Sequence, residues 1–337
     1  MRIIYAQEPY PETTEPGAIF LAGPTVRLDK TPHLTSWRVE AVARLEELGF
    51  QGDVYVPEES PEMAASNVNI FEGYADQVEW EESGIARADV VVFWIPRDLV
   101  TLPGLTTNDE WGGLKMSGRA MLGAPPDAPK TGYQLYYARK YGAPAFDNLS
   151  DLLAAAVAAI GRGARRVGGD ASAPLLLWRS PAFRAWHKAL GSAGNELRDL
   201  RIEWVAPIGS SAPEFFGISA SVFVAADDAV VTQTVVLRPD IDALVLLTDE
   251  HAPRVALITG PIATLTGDPG VGTSLGIKLD PSRLVRVGSG ALASAAATSG
   301  QAHVFGYKLR SSEAEAVEAG GRRLVEMPTG WTWPPSA

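Results

Sequence analysis

The chain has 337 residues, 46% of them hydrophobic, and a formal net charge of −11 at neutral pH. This length exceeds that of an average domain and favours two globular domains, each with its own core. An acidic chain is a poor candidate for a nucleic-acid-binding protein, because holding a phosphate backbone requires clustered lysine and arginine.

Several sequence patterns are missing, and their absence excludes further kinds of protein and site. The chain has no cysteine, which excludes disulfides, thiolate nucleophiles and cysteine-bound zinc. It shows neither an apolar run of about 18 residues nor a signal-peptide pattern, so we predict a cytoplasmic protein without membrane association. Its four histidines lack metal-ligand spacing, and we predict no metal site and no cofactor.

Short apolar runs alternate with segments of helical periodicity through about residue 160. The predicted elements, in chain order, are Ile19–Ala22, Trp37–Leu48 with Ser36 as N-cap, Val54–Val56, Ala75–Ala88, Val90–Ile95, Asn108–Ser117, Ala120–Leu122, Tyr133–Lys140 and Leu149–Ala159. This alternation predicts an α/β domain with a parallel, Rossmann-like or flavodoxin-like sheet and helices on both faces. Ligands bind such sheets beyond the carboxyl ends of the strands, here the loops Gly23–Lys30, Glu58–Asn67 and Arg97–Asn108.

The second half of the chain has a different pattern. Residues 161–174 are rich in glycine, alanine and arginine, and we predict a linker there between domains at 1–160 and 175–337. Helical spacing over Trp178–Arg198 predicts a packing helix. The β-branched runs that follow predict an α+β domain, and they are Val222–Val224, Val230–Leu237, Ala243–Leu247, Val255–Ile258, Leu284–Val287 and His303–Tyr307.

An ordered set of motifs carries a family resemblance. The motifs are AIFLAGPT (18–25), SWRVEA (36–41), VYVPE (54–58), WEESGIARADVVVFW (80–94), TTNDEWG (106–112) and SGRAMLGAPPDA (117–128). Together they resemble the nucleoside 2-deoxyribosyltransferase-like superfamily over roughly Ile19–Ile160. The resemblance implies an enzyme that acts on the N-glycosidic bond of a nucleoside or nucleotide, with a free base as candidate second substrate, and a homo-oligomer.

Two carboxylates receive catalytic roles from this resemblance. Glu110 matches the nucleophile, which attacks the anomeric carbon through an oxocarbenium-like transition state and forms a covalent intermediate. Glu81 aligns with the acidic group that serves the departing base, a position where the family more often has aspartate. A family tyrosine near the first strand is replaced by Phe20 or Leu21, which leaves base exchange and hydrolysis both open. Glu110 could instead be a first-turn glutamate favoured by the helix dipole, and Glu81 part of a solvated helix face.

Six further residues are candidate substrate contacts under the same resemblance. The glycine and proline would let the backbone approach the ligand closely. The arginine and aspartate would contact sugar or phosphate, and the asparagine would hydrogen-bond a sugar hydroxyl or position the nucleophile. Alternatives are a surface ion pair, a helix N-cap and, for the tryptophan, a core position instead of a ligand stack. The six residues are Gly23, Pro24, Trp37, Arg97, Asp98 and Asn108.

From about Leu175 the chain resembles a Nudix-type fold, carried by residues 235–247, 254–262 and 282–309. The stretch that corresponds to the metal-binding Nudix helix, Gly260–Asp280, contains no glutamate. Since those glutamates would hold Mg²⁺ against a diphosphate, we predict a Nudix-like domain without hydrolase activity. The alternative to an N-glycosyl-transfer enzyme is therefore a non-catalytic nucleotide-binding or sensing protein built from degenerate enzyme domains.

Overall fold

The computed structural model describes residues 1–26, 35–66, 74–207, 213–238, 241–248, 254–260, 283–291, 298–299, 301–319 and 324–326. Internal contacts divide the chain into two compact units, Met1–Thr234 and Val235–Ala337. This boundary lies well beyond the linker predicted at 161–174. Within the described ranges, no helix has both the length and the apolar character needed to cross a bilayer.

The first unit is built on a six-stranded sheet with the order β1-β3-β2-β4-β5-β6. Every neighbouring pair in it is parallel, as predicted. The two outer strands, which the sequence pattern did not predict, are four and two residues long, too short to show a period. The strands are β1 Arg2–Tyr5, β2 Ala18–Ala22, β3 Asp53–Val56, β4 Val90–Trp94, β5 Ala120–Gly123 and β6 Ala145–Phe146.

Helices flank this sheet close to the predicted positions, with two differences. Asn108 does not start its helix, because Gly104 adopts a left-handed conformation (φ 60°) and the helix begins at Leu105. A short helix also lies within the predicted 58–67 loop. The N-cap role of Ser36 is confirmed, since its side chain accepts a hydrogen bond from the Arg38 backbone. The helices are α1 Trp37–Glu47, α2 Pro61–Ser66, α3 Tyr74–Arg87, α4 Leu105–Leu114, α5 Gly132–Tyr141 and α6 Leu149–Ile160.

The sheet is buried on both faces, which explains the continuous apolar runs of its central strands. Ile19 and Leu21 of β2 point into a core shared with α1 and α6. Phe20, which alternates with them, points into the opposite core together with Trp80 of α3 and Trp111 of α4. The helices that carry the two candidate catalytic glutamates are therefore fixed on one face of the sheet.

Residues 161–174 pack against this domain through a buried ion pair. Arg166 donates to both carboxylate oxygens of Asp89, at 2.7 and 2.9 Å, and both side chains are almost completely buried. The Asp89 carboxylate also accepts from the backbone nitrogens of Ala18 and Leu175. A 3₁₀ turn, Gly168–Ser172, follows this anchor.

The chain continues with two helices and three strands, and the third strand runs across the boundary between the two units. The single helix expected over Trp178–Arg198 is wrong, because Ser180 and Pro181 start a new helix and the chain turns at Gly194 into a strand. Strand β8 pairs with β7 in antiparallel fashion and β9 follows it in the sheet order. The elements are α7 Leu175–Trp178, α8 Pro181–Ser192, β7 Glu196–Pro207, β8 Pro213–Val224 and β9 Ala229–Leu237.

The second unit contains a mixed five-stranded sheet with the order β12-β14-β10-β11-β15. Strands β10 and β14 are parallel, and the other three pairs are antiparallel. The Nudix-like assignment stays a prediction, and residues 261–280 of its key stretch lie outside the described residues. The elements are β10 Ile241–Thr248, β11 Arg254–Gly260, β12 Leu284–Ala291, β13 Thr298–Ser299, β14 Gln301–Leu309, the helix Ser311–Ala319 and β15 Val325–Glu326.

Candidate functional site

A cleft of about 320 Å³ opens at the carboxyl ends of β2 and β3, beside the start of α4, and we call it the strand-end cleft. Its rim contains Gly23–Thr25 after β2, Pro57 after β3 and Pro103–Thr106 at the start of α4. The position agrees with the rule that ligands bind beyond the carboxyl ends of parallel strands. Both candidate catalytic glutamates, Glu81 and Glu110, line it.

Glu110 lies on α4, in the second turn of the helix. The next residue, Trp111, is buried and meets Phe93 of β4 edge to face, with ring centroids 5.3 Å apart. This contact holds the helix against the sheet and so orients the preceding carboxylate towards the cleft. Burial and, second, repulsion from Glu81 raise the pKa of Glu110 from 4.5 to about 7. Across the described part of the chain, no hydrogen bond or ion pair reaches this carboxylate.

Glu81 lies on α3 and is positioned in a similar way. The residue before it, Trp80, is buried, and its indole nitrogen donates to the Glu8 carbonyl oxygen at 2.9 Å. The Glu81 carboxylate accepts a hydrogen bond of 3.0 Å from Gln77, one helical turn earlier. Burial raises its pKa, although the bond from Gln77 and the charge of Arg38 act in the opposite direction. The solvated-face interpretation of Glu81 therefore does not describe its surroundings.

Arg38 is a cleft residue that the sequence did not single out. Its side chain is only 2% exposed, and its charge lowers the pKa of both catalytic candidates. Its guanidinium donates to Glu58 at 2.6 Å and to the carbonyl oxygens of Leu21 and Gly23. It therefore joins the ends of β2 and β3 beneath the cleft. The SWR motif was a usable signal, because Ser36 caps the helix and also bonds Glu58 at 2.9 Å.

Gly23 and Pro24 line the cleft, whereas Trp37 supports it from below. Gly23 has a φ of 155°, and a Cβ there would collide with the Trp94 carbonyl oxygen and the Trp37 indole. Trp37 is 8% exposed, packs in the core, and donates its indole N–H to the Pro24 carbonyl oxygen at 3.1 Å. Its surroundings are those of the core position, and it fixes the backbone that borders the cleft.

Arg97, Asp98 and Asn108 lie outside the lining of the strand-end cleft. Arg97 is buried and donates to the Asn108 side-chain oxygen at 2.6 Å and to the Lys130 carbonyl oxygen at 2.8 Å. Burial lowers the pKa of its guanidinium. This arrangement ties the start of α4 to the loop before α5. Asn108 is thus a partner of Arg97 in the first turn, and its role as a substrate contact stays a prediction.

Asp98 is exposed and organises its own loop. Its carboxylate accepts from the backbone nitrogens of Val100 and Thr101 and from the Thr101 hydroxyl, at 2.7 to 2.9 Å. These bonds lower the pKa of Asp98. Arg97 and Asp98 therefore have separate partners, and the interpretation of the two as a surface ion pair does not hold.

Sequence comparison finds a resemblance for this part of the chain. No curated protein matches the chain. Residues 16–128, which include the cleft and both of its glutamates, match the family model described as nucleoside 2-deoxyribosyltransferase like.

Proposed function

We propose that the chain cleaves or exchanges the N-glycosidic bond of a nucleoside or nucleotide through a covalent glycosyl-Glu110 intermediate. One observation carries this proposal. Glu110 is a partly buried carboxylate without a partner among the described residues, and it shares a strand-end cleft with a second carboxylate, Glu81. The match of residues 16–128 to a glycosyl-transfer family supports the same chemistry.

The first half-reaction breaks the bond between the anomeric carbon and the base nitrogen. A carboxylate oxygen of Glu110 forms a bond to the anomeric carbon while the electron pair of the glycosidic bond leaves with the base. The Glu81 carboxylic acid donates its proton to the departing base. In the second half-reaction water or another base attacks the anomeric carbon, gives its proton to Glu81 and releases Glu110.

The charge of Glu81 opposes the ionisation of Glu110, whose pKa is raised to about 7, so the pair holds one proton near neutral pH, and in the free site that proton lies on Glu110. The mechanism uses Glu110 as the ionised nucleophile and Glu81 as the acid, so it requires this proton to pass to Glu81 before the base departs. A positively charged transition state is also stabilised beside the ionised Glu110, because no hydrogen bond or ion pair reaches that carboxylate within the described residues.

The test is turnover of a panel of deoxynucleosides, ribonucleosides and their 5′-phosphates, with and without a second free base. Free base formed without acceptor indicates hydrolysis, and a new nucleoside formed only with acceptor indicates transfer. Glu110→Ala should abolish either product. Mass spectrometry of the quenched enzyme should detect a sugar adduct on the peptide that carries Glu110. Normal turnover by Glu110→Ala would refute the mechanism. Nucleotide binding without turnover would favour the sensing protein.

A further inference from the structure

A second cavity of about 480 Å³ begins where the strand-end cleft ends, and we call it the interhelical groove. Its walls are α3, with Ile85 and Ala86, and α4, with Gly113 and Leu114. The size falls in the range of about 300–1,000 Å³ that is typical of small-molecule sites. Neither half-reaction of the proposed mechanism places a ligand in this groove.

The two cavities share a junction that contains both catalytic candidates. Tyr74, Val78, Glu81, Thr106 and Glu110 line the cleft and the groove alike. Glu81 belongs to α3 and Glu110 to α4, so the two carboxylates stand on opposite walls of the passage. A bond that crosses the junction has a nucleophile on one side and a proton donor on the other, as a retaining mechanism requires.

We infer that the interhelical groove holds the nucleobase while the sugar occupies the strand-end cleft. This inference rests on the proposed function and specifies where the two halves of its substrate lie. The anomeric carbon then sits at the junction, and the base extends between the helices beside Glu81. An incoming acceptor base occupies the same groove, because the second half-reaction retraces the path of the first.

The chemistry of the groove fits a planar ring with a polar edge. Ile85, Ala86 and Leu114 offer apolar surface to the faces of a ring. Arg119, only 6% exposed, contributes a cation to the wall, and its Nε has no hydrogen-bond partner among the described residues. Its Nη1 donates to the carbonyl oxygens of Ile85 and Ala88 at the end of α3.

A third wall comes from outside the matched family segment. Arg201, Ile202 and Glu203 of β7 line the groove, whereas the family match ends at residue 128. Arg201 lies 3.7 Å from Glu82 of α3, and Arg87 of the same helix bonds Asp199 at 3.2 Å. The strand is thus held beside the groove, and its side chains form the part of the base site that lies outside the matched segment.

Two neighbouring glycines provide a matched pair of variants. Gly113 lines the groove and Gly112 lines neither cavity, and a Cβ at either position meets no atom within 4 Å. Both lie in α4, so a larger residue raises helix propensity equally at the two positions. Gly113→Leu therefore fills the groove, and Gly112→Leu is its control.

The experiment measures binding of adenine, hypoxanthine, cytosine and thymine to the full chain by calorimetry at millimolar concentration. At least one base should bind, Gly113→Leu should weaken it by about tenfold or more, and Gly112→Leu should leave it within about twofold. The inference is overturned if none of the four bases binds, or if both variants weaken binding equally. Base binding that only Gly113→Leu weakens, with no turnover of any nucleoside, would instead refute the proposed function and leave the groove assignment standing.

Discussion

Replacing Glu110 by glutamine should stabilise the folded protein, and the gain should grow with pH. Glutamine preserves the shape of the side chain and removes its charge. In the folded state, burial and repulsion from Glu81 raise the pKa of Glu110 to about 7, against 4.5 for a solvated glutamate. Folding therefore favours the protonated form, and the ionised form opposes folding.

The expected magnitude follows from these two pKa values. The cost of ionised Glu110 is absent well below pH 4.5, grows as pH rises between the two values, and is complete above about pH 7. At about 1.36 kcal/mol per pKa unit, the full cost is about 3 kcal/mol. The same linkage gives about 1 kcal/mol at about pH 5.5, so Glu110→Gln should gain about 2 kcal/mol between about pH 5.5 and about pH 8.5.

The assay is urea unfolding of the wild-type protein and the variant at these two pH values, followed by tryptophan fluorescence. Asp109→Asn is the control, because it removes an exposed carboxylate from the adjacent position of the same helix. Its effect should stay within about 0.5 kcal/mol at both pH values. A gain for Glu110→Gln that does not change with pH, or an equal gain for Asp109→Asn, would refute the reasoning.

Three further outcomes are expected. Glu81→Gln removes a charge that raises the pKa of Glu110, so the acidic limb of the pH profile of kcat/KM should move to lower pH. The same variant should lower kcat by about 10²–10⁴-fold, because it lacks the acid that protonates the base. An unmoved limb would contradict the effect of the Glu81 charge on Glu110. Asp89→Asn leaves the buried Arg166 without its counter-charge and should cost about 3–5 kcal/mol in chemical denaturation, and a loss below about 1 kcal/mol would show that the pair is dispensable. Gly23→Ala forces a Cβ against the β4 backbone, so KM in the turnover assay should rise by about tenfold or more, and an unchanged KM would separate this loop from the substrate.

The central strands and the cleft could be predicted from the sequence because local pattern and topology agree there. Val90–Trp94 is buried at every position, and its apolar run shows this directly. The rule for carboxyl ends of parallel strands then places the loop after Gly23 and the helix that carries Glu110 at one site. The edge strand Arg2–Tyr5 was missed, since four residues with partial burial carry little periodicity.

The features that were missed depend on contacts between distant parts of the chain. In the sequence, Arg38 has the pattern of an ordinary helix residue. In the fold, β2 and β3 place Leu21, Gly23 and Glu58 around its guanidinium. The helical pattern predicts a start of α4 at Asn108, whereas Gly104 turns the chain about one helical turn earlier. The third wall of the interhelical groove comes from β7, which no local pattern near the motifs could indicate.

The earlier start of α4 also distinguishes the two interpretations of Glu110. A helix beginning at Asn108 would place this glutamate in the first turn, where the helix dipole stabilises a carboxylate by about 0.3–1 kcal/mol. The helix begins at Leu105, so Glu110 lies in the second turn, beyond the range of that effect. Arg38 lowers its pKa but has its donors bound to Glu58 and to backbone carbonyls. An ionised Glu110 is thus costly in the free protein, and a cationic sugar offsets that cost only in the transition state. If Glu110 stabilised the helix, neutralising it would destabilise the folded protein. If it is the nucleophile, neutralising it should stabilise the folded protein and abolish activity.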